Sequence, residues 1–432
     1  MEKVKSVGEM EFEYPFPFGI PQALWHKTIV LPYGDKRYVA DSMESQLLVG
    51  RLGRGGAPDL SFAGAGFKAV ELNEIIEIPG TRPAVAGLLL QEDGGVIGAL
   101  GHKLSLGLAR FTVDGELDRT FGINGTIVHT VGDAQTSQGD EKDNDPYRRQ
   151  FSAGVASLIP GKDGKFYARS DYRLDWNSTI VRCQPNGALD TDFNGNGTVV
   201  VKHPNSDAEA HAIALSPTGG IVVAGILARP MRGFFCRYNE DGSLDEGFGD
   251  GGYAVFDSES AGIPASDMYQ MEFNYVARLA DEGFIACGYI SAKAPWGHKG
   301  LLVRIDATGK IAESFNGGKP LLYTVEGTEA DFLFGGIVEQ NDRKILVAGG
   351  LVTRFSPPEF KREVLLARFL ENGERDTSFG DGGQVLYQPF NNMISYVYSL
   401  ELDHEQKILI SGDGGAENDA GSMTGFIVQF AG

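Results

Sequence analysis

The chain has 432 residues, of which 42% are hydrophobic and 22% charged, with a formal net charge of −20. That surplus of carboxylates argues against a general nucleic-acid or anionic-membrane binder, because phosphate binding needs a basic surface. Glycine is the anomaly: the 59 glycines are about twice the usual share of roughly 7%, which suits a chain built from many tight turns.

The first residues, 1–14 (MEKVKSVGEMEFEY), have no apolar stretch ahead of a small-residue cleavage site, so no secretory signal is read. No run reaches the length of a membrane span. A cytoplasmic location is expected, or export by a route without a cleavable signal peptide. Within this stretch, residues 7–13 (VGEMEFE) read as a strand without a local partner.

From residue 36 onward a short apolar run recurs seven times. The copies are KRYVAD (36–41), GVIGAL (95–100), KFYARS (165–170), GIVVAG (220–225), GFIACG (283–288), KILVAG (344–349) and KILISG (407–412). Near-continuous β-branched runs bounded by glycine predict strands covered on both faces. A further apolar segment precedes each, such as residues 211–215, and a tight turn joins the two as a hairpin.

A longer stretch follows each run in fixed register. Residues 366–386 read LARFLENGERDTSFGDGGQVL, and 108–128, 180–201 and 235–255 repeat the pattern, with weaker copies at 49–70 and 302–322. An Arg is followed eleven residues later by a Phe in Arg51/Phe62, Arg110/Phe121, Arg182/Phe193, Arg237/Phe248, Arg304/Phe315 and Arg368/Phe379. Eight residues after the Arg stand Asp59, Asp118, Asp190, Asp245 and Asp376, with Ala312 in the fifth copy. Asp-Gly and Asn-Gly pairs in between, such as Asp241-Gly242, take φ > 0 readily in a turn.

Each unit therefore predicts four strands: a upstream, b the KILVAG-like run, c the LARF-like run, and d after the second glycine pair. Seven such units of roughly 60 residues predict an all-β fold. It is a seven-bladed β-propeller of four-stranded antiparallel blades, one domain over residues 1–432. The last stretch, FIVQFAG (426–432), aligns with strand c, has Gln429 at the Arg position, and is followed by no strand d. The N-terminal strand of residues 7–13 is expected to supply it and to remove the open sheet edges.

The LARF…DG.LD.SFG..G pattern resembles the delta-60 repeat family of bacterial proteins over almost the whole chain. The resemblance implies a repeat propeller and a bacterial source. It carries no catalytic assignment. Departures from the pattern are Ala312, Gln429 and the insertions near residues 133–150 and 356–363.

A residue type that recurs in every unit serves the unit. The Asp is expected to accept backbone N–H bonds in the c–d corner, the Phe to wedge between sheets, and the Arg to lie buried and bonded within its own blade. The run Asp190-Thr191-Asp192-Phe193-Asn194-Gly195 begins like a calcium loop but has Val201 where the twelfth-position carboxylate belongs. G-x-S-x-G, P-loop, H-E-x-x-H and C-x-x-C are all absent from the sequence. Cys183, Cys236 and Cys287 lie in different repeat copies and read as small buried hydrophobes. No metal site and no cofactor is expected.

Alternating strand direction puts the b–c loops and d–a connections on one face, with the repeated motif on the other. Variable loops on a rigid scaffold are where binding resides. Trp25 lies in a d–a connection. Tyr172, Arg173 and Trp176, then Arg229 and Arg232, then Trp296 and His298, lie in three b–c loops, and residues 351–363 form another rich in Arg and Phe. These residue types are enriched at binding hot spots. The expectation is a non-catalytic recognition or scaffold propeller, a monomer binding a protein or carbohydrate on this face, with no nucleic-acid partner and no membrane insertion. The alternative is a hydrolase or lyase at the central mouth of the same face. Its candidate residues near strand a starts and strand b ends are Asp171, Asp175, Glu209, His211, Asp267, Glu272 and Asp331.

Overall fold

The computed structural model describes residues 8, 10–15, 29–43, 46–72, 84–102, 105–131, 158–170, 178–228, 230–293, 298–325, 332–356, 359–389, 394–415 and 424–432. Strand β1 (Met10–Pro15) comes first. Blade 1 is β2 (Ile29–Tyr33), β3 (Lys36–Met43), β4 (Gln46–Leu52) and β5 (Phe67–Glu71). Blade 2 is β6 (Ala84–Leu90), β7 (Val96–His102), β8 (Ser105–Phe111) and β9 (Thr126–Thr130). Blade 3 is β10 (Leu158–Pro160), β11 (Phe166–Ser170), β12 (Thr179–Cys183) and β13 (Thr198–Val200). Blade 4 is β14 (Ala208–Leu215), β15 (Ile221–Ala228), β16 (Met231–Tyr238) and β17 (Tyr253–Phe256). Blade 5 is β18 (Met268–Arg278), β19 (Phe284–Ala292), β20 (His298–Ile305) and β21 (Leu321–Tyr323). Blade 6 is β22 (Phe332–Glu339), β23 (Ile345–Ser356), β24 (Glu359–Phe369) and β25 (Gln384–Tyr387). Blade 7 is β26 (Ile394–Leu402), β27 (Ile408–Gly415) and β28 (Thr424–Phe430), completed by β1.

Seven four-stranded antiparallel sheets thus form a seven-bladed propeller, with strand a innermost. Strand β1 pairs antiparallel with β28, from Met10 opposite Phe430 to Pro15 opposite Phe426. The closing strand lies about three residues later than the sequence pattern placed it. Gly8, just ahead of it, donates its N–H to Ala431 O at 2.8 Å. Among the described residues no helix is long and apolar enough to cross a membrane.

The buried apolar residues fall into seven clusters, one at each junction between neighbouring blades. Blades therefore hold together by burying sheet face against sheet face, the dominant favourable contribution to folding. Among the described residues the cluster between blades 7 and 1 comprises Val30, Val39, Leu48, Leu52, Leu409 and Ile427. Polar contacts also cross this junction. Arg37 of blade 1 donates to Asp403 Oδ2 at 3.1 Å and to Gln429 Oε1 at 2.8 Å, both in blade 7.

The eleven-residue Arg–Phe spacing has a direct cause. The chain turns back after strand c, and the guanidinium lies over the ring: Arg182 Cζ is 4.9 Å from the Phe193 centroid, Arg237 4.8 Å from Phe248, and Arg368 4.6 Å from Phe379. The Asp in between receives the Arg Nε, at 2.7 Å in Arg237–Asp245 and 2.8 Å in Arg368–Asp376. Where Ala312 replaces the Asp, Arg304 turns to Asp281 of the a–b turn at 2.7 Å. The arginines thus bond within their own blade, as expected, and most of them also reach the next one. Arg110 Nη1 donates to Pro185 O at 3.3 Å, Arg237 Nη1 to Ala307 O at 2.5 Å and Arg304 Nη1 to Glu371 O at 2.8 Å. Each of these carbonyls is at the c–d corner of the following blade. Arg51 and Arg182 make the same contact, to Val113 O and Glu240 O. The motif staples blade to blade.

A correction concerns residues 351–363, read from sequence as a variable loop. Residues 351–356 and 359–363 belong to a long ribbon, with Leu351 opposite Glu363, Val352 opposite Arg362 and Ser356 opposite Glu359. Arg362 is buried, its Cζ 4.7 Å from the Tyr396 ring centroid of blade 7. Longer strands b than predicted also shorten the other b–c connections. Arg232 sits within β16 opposite Leu227, and His298 opens β20 opposite Ser291.

Candidate functional site

The inner strands bring chemically active side chains to the variable-face mouth between blades 4 and 5. Strand β14 pairs regularly with β15 until Ala210, then shifts register so that His211 is skipped. A bulge of this kind re-aims the side chain of the extra residue. The same bulge recurs in other inner strands, where Ala86, Asn274, Gly335 and Tyr398 occupy the skipped position. Glu209 and Glu272 are register equivalents in adjacent blades, opposite Ile226 and Tyr289.

From this position the buried His211 ring reaches β18. Its Nδ1 donates to Phe273 O at 3.2 Å and lies 3.1 Å from Glu272 Oε1, while Nε2 lies 3.5 Å from Glu209 Oε1. Glu272 Oε2 in turn accepts from Tyr289 Oη at 3.1 Å and from Gln270 Nε2. The Gln270 amide also donates to Tyr289 Oη at 2.7 Å. Burial alone would push the imidazole down, but the Glu272 and Glu209 carboxylates outweigh it and raise its pKa to about 9. His211 is therefore an imidazolium at neutral pH, facing acceptors through both ring nitrogens. Beside it, Arg169 Nη1 donates to Ala210 O at 2.7 Å and Ser178 Oγ accepts from Ala210 N at 3.0 Å.

Glu209 and Gln270 are the half-buried ends of this chain of contacts, and the next residue, Tyr269, is 59% exposed. Tyr269, Gln270 and Tyr289 were not singled out from sequence. Only the packing of β18 beside β14 joins them to His211, and the bulge that aims His211 at them leaves no sequence signature.

The predicted binding residues divide into two groups. Trp25, Tyr172, Arg173, Trp176, Arg229 and Trp296 lie outside the described residues, as do Asp171, Asp175 and Asp331. His298 is exposed and faces Ser291, which faces Gln270, so it belongs to the same row two strands outward. Arg232 is turned elsewhere. Its charge, together with the larger effect of burial, lowers the pKa of His203, on the connection between blades 3 and 4. Asp267 lies in the turn before β18, where its Oδ1 accepts from Ser266 Oγ at 3.1 Å.

Among the described residues no group of three or more His, Cys, Asp or Glu side chains could hold a metal ion. Asp190, first residue of the calcium-like run, is 2.6 Å from Arg182 Nε and 2.9 Å from Lys165 Nζ. Those two cations already meet its charge. Cys183 Sγ comes within 4.0 Å of His129 Nε2, but burial and the nearby Asp190 push the thiol up to about 12. It stays protonated and is a poor nucleophile.

Residues 217–248 match the model of a family described as a domain of unknown function (DUF5122) beta-propeller. No curated protein matches the chain. Among solved structures it is similar to a streptogramin B lyase (11% identity, 96% of this chain and 97% of that one, TM-score 0.49). It is similar to the polysaccharide lyase Uly1 (9% identity, 98% and 99%, TM-score 0.47). The Dos1 propeller is a further likeness (7% identity, 97% and 94%, TM-score 0.47). At such identities the likeness concerns the fold alone.

Proposed function

We propose that the chain is a non-catalytic recognition propeller that binds a protein or glycan on its variable face, centred on the mouth between blades 4 and 5. The observation that carries this reading is the position of His211, whose two ring nitrogens are both held against acceptors, Glu272 and the Phe273 carbonyl on one side and Glu209 on the other. An imidazolium held between two carboxylates has no lone pair with which to abstract a proton at neutral pH. A hydrolase or lyase at this mouth would need a base poised near the working pH. What the mouth offers instead is a preorganised row of polar groups, Glu209, Gln270 and His298, beside the exposed ring of Tyr269. An aromatic face next to hydroxyl-binding carboxylate and amide groups suits a sugar, which favours the glycan of the two ligand classes. Trp25, Tyr172, Arg173, Trp176, Arg229 and Trp296 belong to this proposal through the flanking strands, whose ends point to the same face.

The test is a glycan microarray probed with the purified chain, followed by calorimetry on whatever is retained. Tyr269→Ala should weaken retention at least tenfold while leaving the melting temperature within a degree or two. Mass spectrometry of the bound glycan after prolonged incubation decides against the proposal if cleaved or unsaturated products accumulate and His211→Gln abolishes them. An array on which nothing binds removes the glycan and leaves a protein partner.

A further inference from the structure

The axial channel has a second end, on the short-turn side, and its lining differs from the variable-face mouth. A cavity of about 580 Å³ is enclosed there by the last residues of the inner strands before the a–b turns. That volume lies within the range of small-molecule sites. Its wall is mostly aliphatic, with Tyr275, Arg278, Ser399 and Glu401 as the exceptions, and the single carboxyl among them can be located by register. In every blade one cross-strand row runs from strand a through strand b to the repeat Arg position. The inner ends of these rows are Leu31, Leu89, Ile159, Ala214, Ala277 and Val338 in blades 1 to 6, and Glu401 in blade 7. Six of these row ends are aliphatic, all but Ala277 lining the cavity, and the seventh is a carboxyl.

Nothing in the fold accounts for that carboxyl. No described residue hydrogen-bonds or ion-pairs with the Glu401 carboxyl, although buried carboxylates are normally paired. The neighbouring polar group of the wall, Ser399, is already engaged with Ser411 Oγ at 2.6 Å and Val30 N at 3.4 Å. Arg278, at the rim, is 4.0 Å from Glu282 of its own turn. Glu401 is surrounded by protein yet reached by solvent through the lumen, and this burial raises its pKa to about 7.

We infer that this cavity is a binding site for a small amphiphilic ammonium compound, with the apolar body against the aliphatic ring and the charged nitrogen on Glu401. Apolar burial supplies the affinity, and the carboxylate supplies the choice of head group. The site lies at the opposite end of the channel from the mouth between blades 4 and 5, so its test and that of the recognition face are independent.

Calorimetric titration of the full chain at pH 8 with n-octylamine, n-octanol and octanoate tests the assignment. Octylammonium should bind at least tenfold more tightly than octanol, and octanoate should not bind measurably. Glu401→Gln is isosteric and breaks no existing contact, so the variant should fold. It should reduce octylammonium affinity about tenfold and leave octanol unchanged. Glu401→Lys should reverse the preference toward octanoate. Equal binding of octylammonium and octanol, tighter binding of octanoate to the unsubstituted chain, or undiminished amine affinity in Glu401→Gln would each overturn the assignment.

Discussion

At the scale of single residues, the repeated Arg and Asp are structural charges with measurable linkage to pH. Burial alone would raise the Asp376 carboxyl, but Ser378 and Arg368 outweigh it and hold its pKa at about 2. A depressed carboxylate contributes stability that is fully present above its unfolded pKa near 4 and is lost as pH falls through 2. Asp376→Asn should therefore cost about 2 kcal/mol at pH 7 and progressively less toward pH 2, read by denaturant melts at both. An equal cost at the two pH values would show that the carboxylate's charge plays no part. This role was legible in the sequence because the same pair recurs in register. His211 and Glu272 were legible only as candidates: they are non-repeating, belong to different blades, and meet through a bulge.

At the scale of the element, the c–d corners of blades 2 to 6 each carry a glycine that packs against the Phe of the preceding blade. Gly242 has φ +86°, and a Cβ there would come 2.8 Å from Asn194 N and 3.0 Å from the Phe193 ring of blade 3. The close approach leaves room for Asn194 N to donate to Asp241 O at 2.7 Å. Gly195, with φ +74°, has no atom within 4 Å of the same position. Gly195→Ala should cost only the left-handed backbone strain, about 1 kcal/mol. Gly242→Ala should cost more, on the order of 3 kcal/mol, because it also forces two blades apart. Thermal melts of the two variants compare them, and equal losses would mean the corner contact contributes nothing. The strands, turns and their register could be read from period and punctuation. The lengths of the b–c hairpins could not, because Arg and Phe in residues 351–363 look like loop chemistry whether or not the backbone pairs.

At the scale of the molecule, closure rests on one non-contiguous blade. Gly8, with φ +82°, lies where a Cβ would meet the Phe379 ring at 3.2 Å, the place that corner glycines such as Gly373 take beside the preceding blade's Phe. The N-terminal segment thus supplies both the missing strand d and the missing corner of blade 7. Deleting residues 1–15 should expose the edge of β28, lower the melting temperature by several degrees and drive association, followed by light scattering. A truncated chain with unchanged melting temperature and mass would contradict this role. Closure was legible because blade 7 lacks a strand at one terminus and a spare strand stands at the other.

The pairing of Met10 with Phe430 links positions 420 residues apart in sequence. Bringing such distant points together costs loop entropy that only the finished ring repays, whereas every other blade forms from neighbours along the chain. The zipper must therefore engage late, after blades 1 to 6 have shortened the effective tether between the ends. During synthesis the spare strand waits while some four hundred residues emerge, and its partner appears only after the six intervening blades.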